Sequence, residues 1–234
     1  MPTSARHTAA IELRDSPAYT IAEAARYLKL PPATLRSWML GRRYPTASGD
    51  GHFQPLIRPA SRQPPLLSFW NLIEAHVLRA LRTEHGVSVQ ALREAIEYAE
   101  NQLKVKRLLL REELSTADGE IFLERYGQLI NLSASGQLAM RRMFEAHLKR
   151  VEWDDSMFPI RLYPFVSAES SAQDHPIVID PSISFGRPVI RRMAISTEAI
   201  ADRIDAGEAI KDIANDYELT TEEIEQAVVY ERAA

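Results

Sequence analysis

The hydrophobic pattern is clearest between Tyr19 and Arg43, and it predicts two short helices joined by a tight turn. Ile21, Ala24, Ala25 and Leu28 recur at helical spacing and give the first helix one buried face. Thr20 precedes it as an N-cap, and Glu23 stands where its carboxylate can reach back to the Thr20 amide, a capping box. Lys29-Leu30-Pro31 reads as the turn. Pro32 suits the first position of the second helix, where a missing N–H costs nothing. That helix is expected to run to Leu40 and to end in a left-handed Gly41 cap. Leu35, Trp38 and Met39 point inward, which leaves Ala33, Thr34, Arg36 and Ser37 outside. A small, polar, Arg-bearing outer face suits the DNA major groove, where arginine reads guanine with two hydrogen bonds. An ordinary helical hairpin with a solvated face fits the same pattern.

Further along, Gly49-Asp50-Gly51 is a turn signal between extended pieces near Arg43–Thr46 and Phe53–Ile57. A hairpin directly after a recognition helix is a wing, with Arg42, Arg43 and Tyr44 at its hinge where phosphates would pass. Residues 58–65 read as a stiff connector with two more cations, Arg58, which is a further candidate DNA contact, and Arg62; simple solubility is the other reading of these arginines. Ser68 caps a helix from Phe69 to about Glu84, and Ser88 caps one from Val89 into Leu110. Leu92, Ile96, Ala99 and Leu103 form an apolar seam on the latter, suited either to the core or to a second copy of the chain. Residues 119–124 and 128–131 read as a β-hairpin, 136–148 as an amphipathic helix, and 151–154 and 158–166 as extended. Residues 167–174 are a polar linker. The final stretch opens with a strand at Ile177–Ile179 and a turn at Phe185-Gly186. Three helices follow, capped at Ser196, beginning near Glu208, and boxed by Thr220 with Glu223.

The expected fold is mainly α with small β elements. It divides into a flexible tail (1–16), a winged helix-turn-helix (17–110), a small α+β region (111–166), a linker (167–175) and a three-helix, HTH-like C-terminal domain (176–234).

Composition narrows the classes. Of 234 residues, 45% are hydrophobic and 26% charged, as in soluble globular proteins. Cysteine is absent, which excludes disulfides and thiolate sites. No apolar run approaches the ~18 residues of a membrane span, and the first residues lack a signal-peptide core, so a cytoplasmic location is expected. The net charge of -4 conceals a division. Residues 1–62 hold nine Lys/Arg against four Asp/Glu, a net of +5; residues 165–234 hold six against fourteen, a net of -8. The basic end suits phosphate, whereas the acidic end repels nucleic acid and suits a protein partner. The last predicted helix has an HTH outline, yet it carries Glu222, Glu223 and Glu225, which argues against DNA there.

Two resemblances follow from these motifs. The helix-turn-helix, the GDG wing and FWNLIEAHVLRALRTEHGVSVQALREAIEYAENQL resemble the DNA-binding half of MerR-type regulators over residues 17–103. The wing here is longer and proline-rich, the dimerisation helix is short, and no metal- or drug-sensing tail follows. Residues 177–231, with FGRPVIRRMAI and AGEAIKDIANDYEL, closely resemble a small bacterial domain of unknown function that recurs in antitoxins encoded beside PIN-domain ribonucleases. Arg192 stands where that family usually has glycine, and Ala194 where it usually has arginine. The order of parts resembles VapB-type antitoxins with a MerR-like head. The resemblance implies operator DNA and a PIN-domain ribonuclease toxin as partners. PIN ribonucleases hold divalent metal with clustered carboxylates, which a guanidinium could occupy. Arg187, Arg191 and Arg192 are the candidates for that role, or they neutralise acids within their own domain. A single helix-turn-helix reads few base pairs, so a homodimer is expected.

Catalytic chemistry finds no foothold. His7, His52, His76, His85, His147 and His175 form no i,i+4 pair and no cluster with carboxylates, so no metal site is expected. His76 is better read as a packed or helix-surface residue, Asp180 as a turn residue and Asp202 as a helix-surface residue. Phosphate loops and nucleophile elbows are missing. The chain is expected to be a non-enzyme without cofactors. A free-standing regulator with a small-molecule or protein sensor in its later region, and an interaction adaptor that leaves DNA alone, remain the competing readings.

Overall fold

The computed structural model describes residues 13–46, 49–82, 89–104, 106–111, 122–125, 127–128, 141–142, 144–164 and 176–233. A small sheet seats the first helices. Strand β1 (Tyr19–Thr20) leads directly into α1 (Ile21–Tyr27), and α2 (Pro32–Leu40) follows. A ribbon comes next, β2 (Arg42–Thr46) against β3 (Gly49–Phe53). Strands β4 (Ser61–Arg62) and β5 (Pro65–Leu67) complete the first sheet in the order β1-β5-β4. Residues 58–65 are therefore not an open connector. Leu66 and Leu67 find partners at Thr20 and Tyr19, which folds the proline-rich stretch back as a hairpin.

The ribbon also departs from expectation. Gly49, Asp50 and Gly51 lie inside β3, opposite Thr46, Pro45 and Tyr44. Phe53–Ile57 is not the second strand. Instead Leu56 and Ile57 donate their amides to the Trp38 carbonyl at 2.7 and 3.1 Å and close over the end of α2. Gly41 sets this register. Its φ is +74°, with extended ψ rather than a left-handed cap, and a Cβ there would lie 2.2 Å from the Phe53 oxygen.

Helix α3 (Phe69–Arg82) is capped by Ser68, whose hydroxyl accepts from Asn71 N at 3.2 Å, and Asn71 returns the bond to the Ser68 amide at 3.1 Å. Helix α4 (Val89–Leu103) stops short of Leu110. Lys104 and Arg107 take positive φ and turn the chain into a 3-10 segment, Leu108–Leu110. Three consecutive leucines cannot share one helical face, and the reversal buries all three.

Of the hairpin expected at 119–124 and 128–131, only residues 122–124 and 128 are described, and these are not strand. Residues 122–125 and 127–128 are helical, and Phe122 and Leu123 are both buried, which a strand with one solvated face would not allow. Phe122 meets Phe144 at 5.9 Å. Residues 144–148 are helical as expected; the earlier part of that helix is described only at 141–142. Strands β6 (Val151–Trp153) and β7 (Pro159–Leu162) pair antiparallel. The expected linker 167–175 and most of the expected tail lie outside the described residues. Of that tail, Arg14 binds Asp154 at 2.7 Å and Asp15 binds Arg107 at 3.0 Å.

A second three-stranded sheet, β8 (Ile177–Val178), β9 (Val189–Ile190) and β10 (Ile195–Ser196), supports α5 (Thr197–Asp205), α6 (Ile210–Tyr217) and α7 (Thr221–Arg232). Ile177, Ile200, Ile213, Ile224 and Tyr230 form their common core. A larger core runs from Tyr19 through α3 and α4 to Phe144 and Leu162, so the helix-turn-helix and the central region share one interior. The C-terminal sheet joins that body where Ile179 bridges Leu162.

Candidate nucleic-acid interface

Local chemistry fixes the helix-turn-helix. Thr20 Oγ1 accepts from the Glu23 amide at 3.2 Å while the Glu23 carboxylate accepts from the Thr20 amide at 2.8 Å, the predicted capping box. Lys29 takes φ +52° in the turn, and Pro32 opens α2. Leu35, Trp38 and Met39 are buried and orient the helix. Ala33 and Arg36 are exposed, and Thr34 and Ser37 half-buried, so the four predicted reading residues occupy the outer side. The Ser37 hydroxyl is already engaged, donating to the Thr34 carbonyl at 2.8 Å.

The ribbon divides its cations. Arg42, Arg43 and Tyr44 are all exposed, but neighbours on a strand point to opposite faces. Arg42 pairs with Phe53 and Arg43 with His52. Phe53 lies beneath the Arg93 guanidinium, 5.7 Å from its ring centre, so the Arg42 face is the one turned towards α4. Arg43 belongs to the other. Arg58 is exposed as well, and it also lines a cleft of about 680 Å³ with Glu74, Arg93, Ile96, Lys106 and Arg107.

The elements holding this surface include residues the sequence did not single out. Buried Asn71 accepts from the Ala60 amide at 3.0 Å and donates to the Arg58 carbonyl at 3.0 Å, which ties down the loop after the ribbon. Its place three residues after Ser68 was the readable signal. Glu74 is buried, and desolvation raises its pKa against the opposing bonds from Arg107 at 3.0 and 3.1 Å. Arg79 donates to the Leu28 carbonyl at 2.7 Å, a cation on the open C-terminal end of α1.

The C-terminal helices press on the same end of α1. Arg26 binds Glu198 at 2.9 Å and Glu231 at 3.6 Å. Lys29 Nζ lies 3.9 Å from the centre of the Tyr230 ring, and burial lowers its pKa to about 8.

The predicted partner-binding arginines part company. Arg192 is bound by Glu223 at 3.2 and 3.0 Å and by the Glu218 carbonyl, so it neutralises its own domain. Its hydrogen bond holds the Glu223 carboxyl below the usual range. Arg191 lies over the Tyr163 ring at 5.7 Å, and Arg187 is exposed. The expected dimer seam is used internally. Leu92 and Ala99 are buried in this chain's core and Ile96 packs against it, because the Leu108–Leu110 reversal and the loop around Leu56 cover α4; the Leu103 side chain lies outside the described residues.

His76 is a packed residue. Its Nε2 lies 3.0 Å from the His147 carbonyl, and the two rings stand 5.0 Å apart. Asp180 is a turn residue, accepting from the Ser182 amide at 2.8 Å and from Arg161 at 2.8 Å. Among the described residues, no helix is long and apolar enough to cross a membrane.

Comparison with known proteins adds a second line. Residues 17–96 match the family described as "Putative DNA-binding HTH domain", and residues 177–230 match "Protein of unknown function (DUF433)". The chain is 30% identical to a Mycobacterium tuberculosis protein named "Putative antitoxin VapB45", across 93% of this chain and 95% of that protein. It is 26% identical to "Uncharacterized protein Rv2308" of the same organism, across 92% and 90%. The crystal structure of Rv2018 from M. tuberculosis superposes with a TM-score of 0.65 at 23% identity, covering 91% of this chain and 97% of that one, which is a likeness of fold.

Proposed function

Since the chain belongs to the family of the M. tuberculosis protein named "Putative antitoxin VapB45", we propose that it is a type II antitoxin that binds its own promoter and neutralises a PIN-domain ribonuclease. It acts by binding and not by catalysis. The observation that supports the DNA half best is the outer side of α2, where Ala33, Thr34 and Arg36 face away from the Leu35, Trp38 and Met39 anchor. These residues and the ribbon form a MerR-like reading head, in which Arg36 meets base edges and the hinge residues meet phosphate. Two copies bind a pseudo-palindrome. Their contact lies outside the Leu92–Ala99 seam, which the monomer already buries.

The C-terminal unit carries the toxin-binding role, consistent with its excess of acidic residues. Of the three arginines expected to reach a metal-binding cleft, all are exposed; Arg192 is paired with Glu223 and Arg191 lies over the Tyr163 ring, which leaves Arg187 as the better candidate. The test is co-expression with the ribonuclease encoded by the adjacent reading frame, alongside titration of the upstream DNA. Rescue of growth together with salt-sensitive promoter binding supports the proposal. Binding of neither partner would sink it.

The 680 Å³ cleft favours one other reading, a free-standing regulator with a small-molecule site, because Arg58 borders both the cleft and the ribbon loop. A metabolite that alters promoter affinity, with no effect of the ribonuclease, would select that alternative.

A further inference from the structure

The turn before β9 carries the most exposed large apolar side chain among the described residues, Phe185, 92% accessible. Water-exposed phenylalanine is costly, and here the backbone is unusual too. Ser184, Phe185 and Gly186 have φ of 48°, 56° and 75°, three successive residues in the left-handed region. Two of the three are not glycine, so the conformation is strained and must be imposed by its surroundings.

The imposing frame is visible. Asp180 is buried and fastened by Arg161 Nε at 2.8 Å and the Ser182 amide at 2.8 Å. Ile183 N donates to the Asp180 carbonyl at 2.9 Å, Gly186 N to Ile183 at 2.9 Å and Arg187 N to Ser184 at 3.1 Å. Gly186 lies flush against buried Tyr19, so close that a Cβ would sit 2.0 Å from the tyrosine oxygen. The turn cannot sink into the body, and Phe185 is held outward. Exposed Arg187 follows two residues later.

We propose that Phe185 is the apolar anchor by which the C-terminal unit grips its protein partner, entering a pocket rimmed by carboxylates that pair with Arg187. This rests on the toxin-binding reading and names the residue that carries it. A rigid aromatic beside arginine is the composition that concentrates binding energy in protein interfaces. Charge selects a protein over nucleic acid, because residues 165–234 are net -8 and a polyphosphate would be repelled. The exposed Arg187 guanidinium is the local positive charge in this acidic unit and is what would complement an acidic rim.

The experiment uses the full chain and the ribonuclease of the adjacent reading frame. Phe185→Ala and Phe185→Gly should each weaken their association at least ~30-fold. Promoter affinity should not change. Phe185→Gly should melt no lower than the parent, since glycine takes positive φ freely. Arg187→Glu should weaken the complex further and reduce its salt dependence. If both Phe185 variants bind the ribonuclease as the parent does, the anchor is overturned while the toxin reading stands. If the parent itself fails to bind, that reading falls and the anchor with it. Loss of promoter binding alone, or conversion of a dimer to a monomer, would make Phe185 a DNA wedge or a self-contact and would equally overturn the proposal.

Discussion

The Tyr230 hydroxyl donates a hydrogen bond to the Tyr27 backbone oxygen at 3.0 Å, between residues 203 apart in sequence. Tyr27 ends α1, where carbonyls have no partner within the helix. The last helix therefore completes the hydrogen bonding of the first. Tyr230→Phe leaves a buried acceptor without its donor and should cost ~1–3 kcal/mol. Tyr230→Ala adds a cavity and should cost ~3–5 kcal/mol. Denaturant unfolding measures both, and a Tyr230→Phe variant as stable as the parent would show that the contact contributes nothing.

Arg36 and Arg43, two of the arginines expected on DNA, should fail differently. Arg36→Ala should lose ~1–3 kcal/mol on the cognate site and relax base preference. Arg43→Ala should weaken all sequences alike and reduce the salt slope by about one. Fluorescence anisotropy on matched and scrambled duplexes at several salt concentrations separates them. Equal loss on both duplexes for Arg36→Ala would remove it from the reading helix.

Gly41 joins the reading helix to the ribbon. An alanine there meets the Phe53 oxygen and needs a positive φ. Gly41→Ala should cost ~1–3 kcal/mol through strain at this one position, and DNA affinity should fall with it. Unchanged stability would mean that β2 and β3 pair in another register.

Acid should destabilise the protein through His76. Burial, then the neighbouring His147 charge, holds its pKa well below the ordinary 6.5; Arg79 and Arg150 act in the same direction. The folded state thus binds this proton less readily than the unfolded state. The stability is fully present above about pH 6.5 and declines as pH falls below it, by up to ~1.4 kcal/mol per pH unit. Replacing His76 with phenylalanine should flatten that dependence between pH 6.5 and 5 in unfolding titrations. An unchanged slope would assign the acid sensitivity to other groups.

What the sequence disclosed was local. Thr20 with Glu23 and Thr220 with Glu223 are boxes three residues long, and both form as read. The inward set Leu35, Trp38 and Met39 follows from helical spacing alone. The failures share a cause, which is a partner far away in the chain. Leu66 and Leu67 become strand residues only because Thr20 and Tyr19 lie beside them. Phe122 is helical and packs on Phe144, although the short apolar run Ile121-Phe122-Leu123 after Gly119 reads as a strand. Arg192 looked available because Glu223, its partner, is 31 residues on. Tyr230 was passed over because a tyrosine near the end of an acidic helix gives no local sign that it will contact the turn of another motif.

Gly186 and Tyr19 belong to stretches matched by two separate families, 177–230 and 17–96. They meet where one lacks a methyl group and the other supplies a hydroxyl. Such heads and tails cannot be recombined freely. A chimera that joins this reading head to a foreign tail must bring a glycine to the matching position or surrender the tyrosine, so the exchange of parts between chains is gated by a single missing carbon.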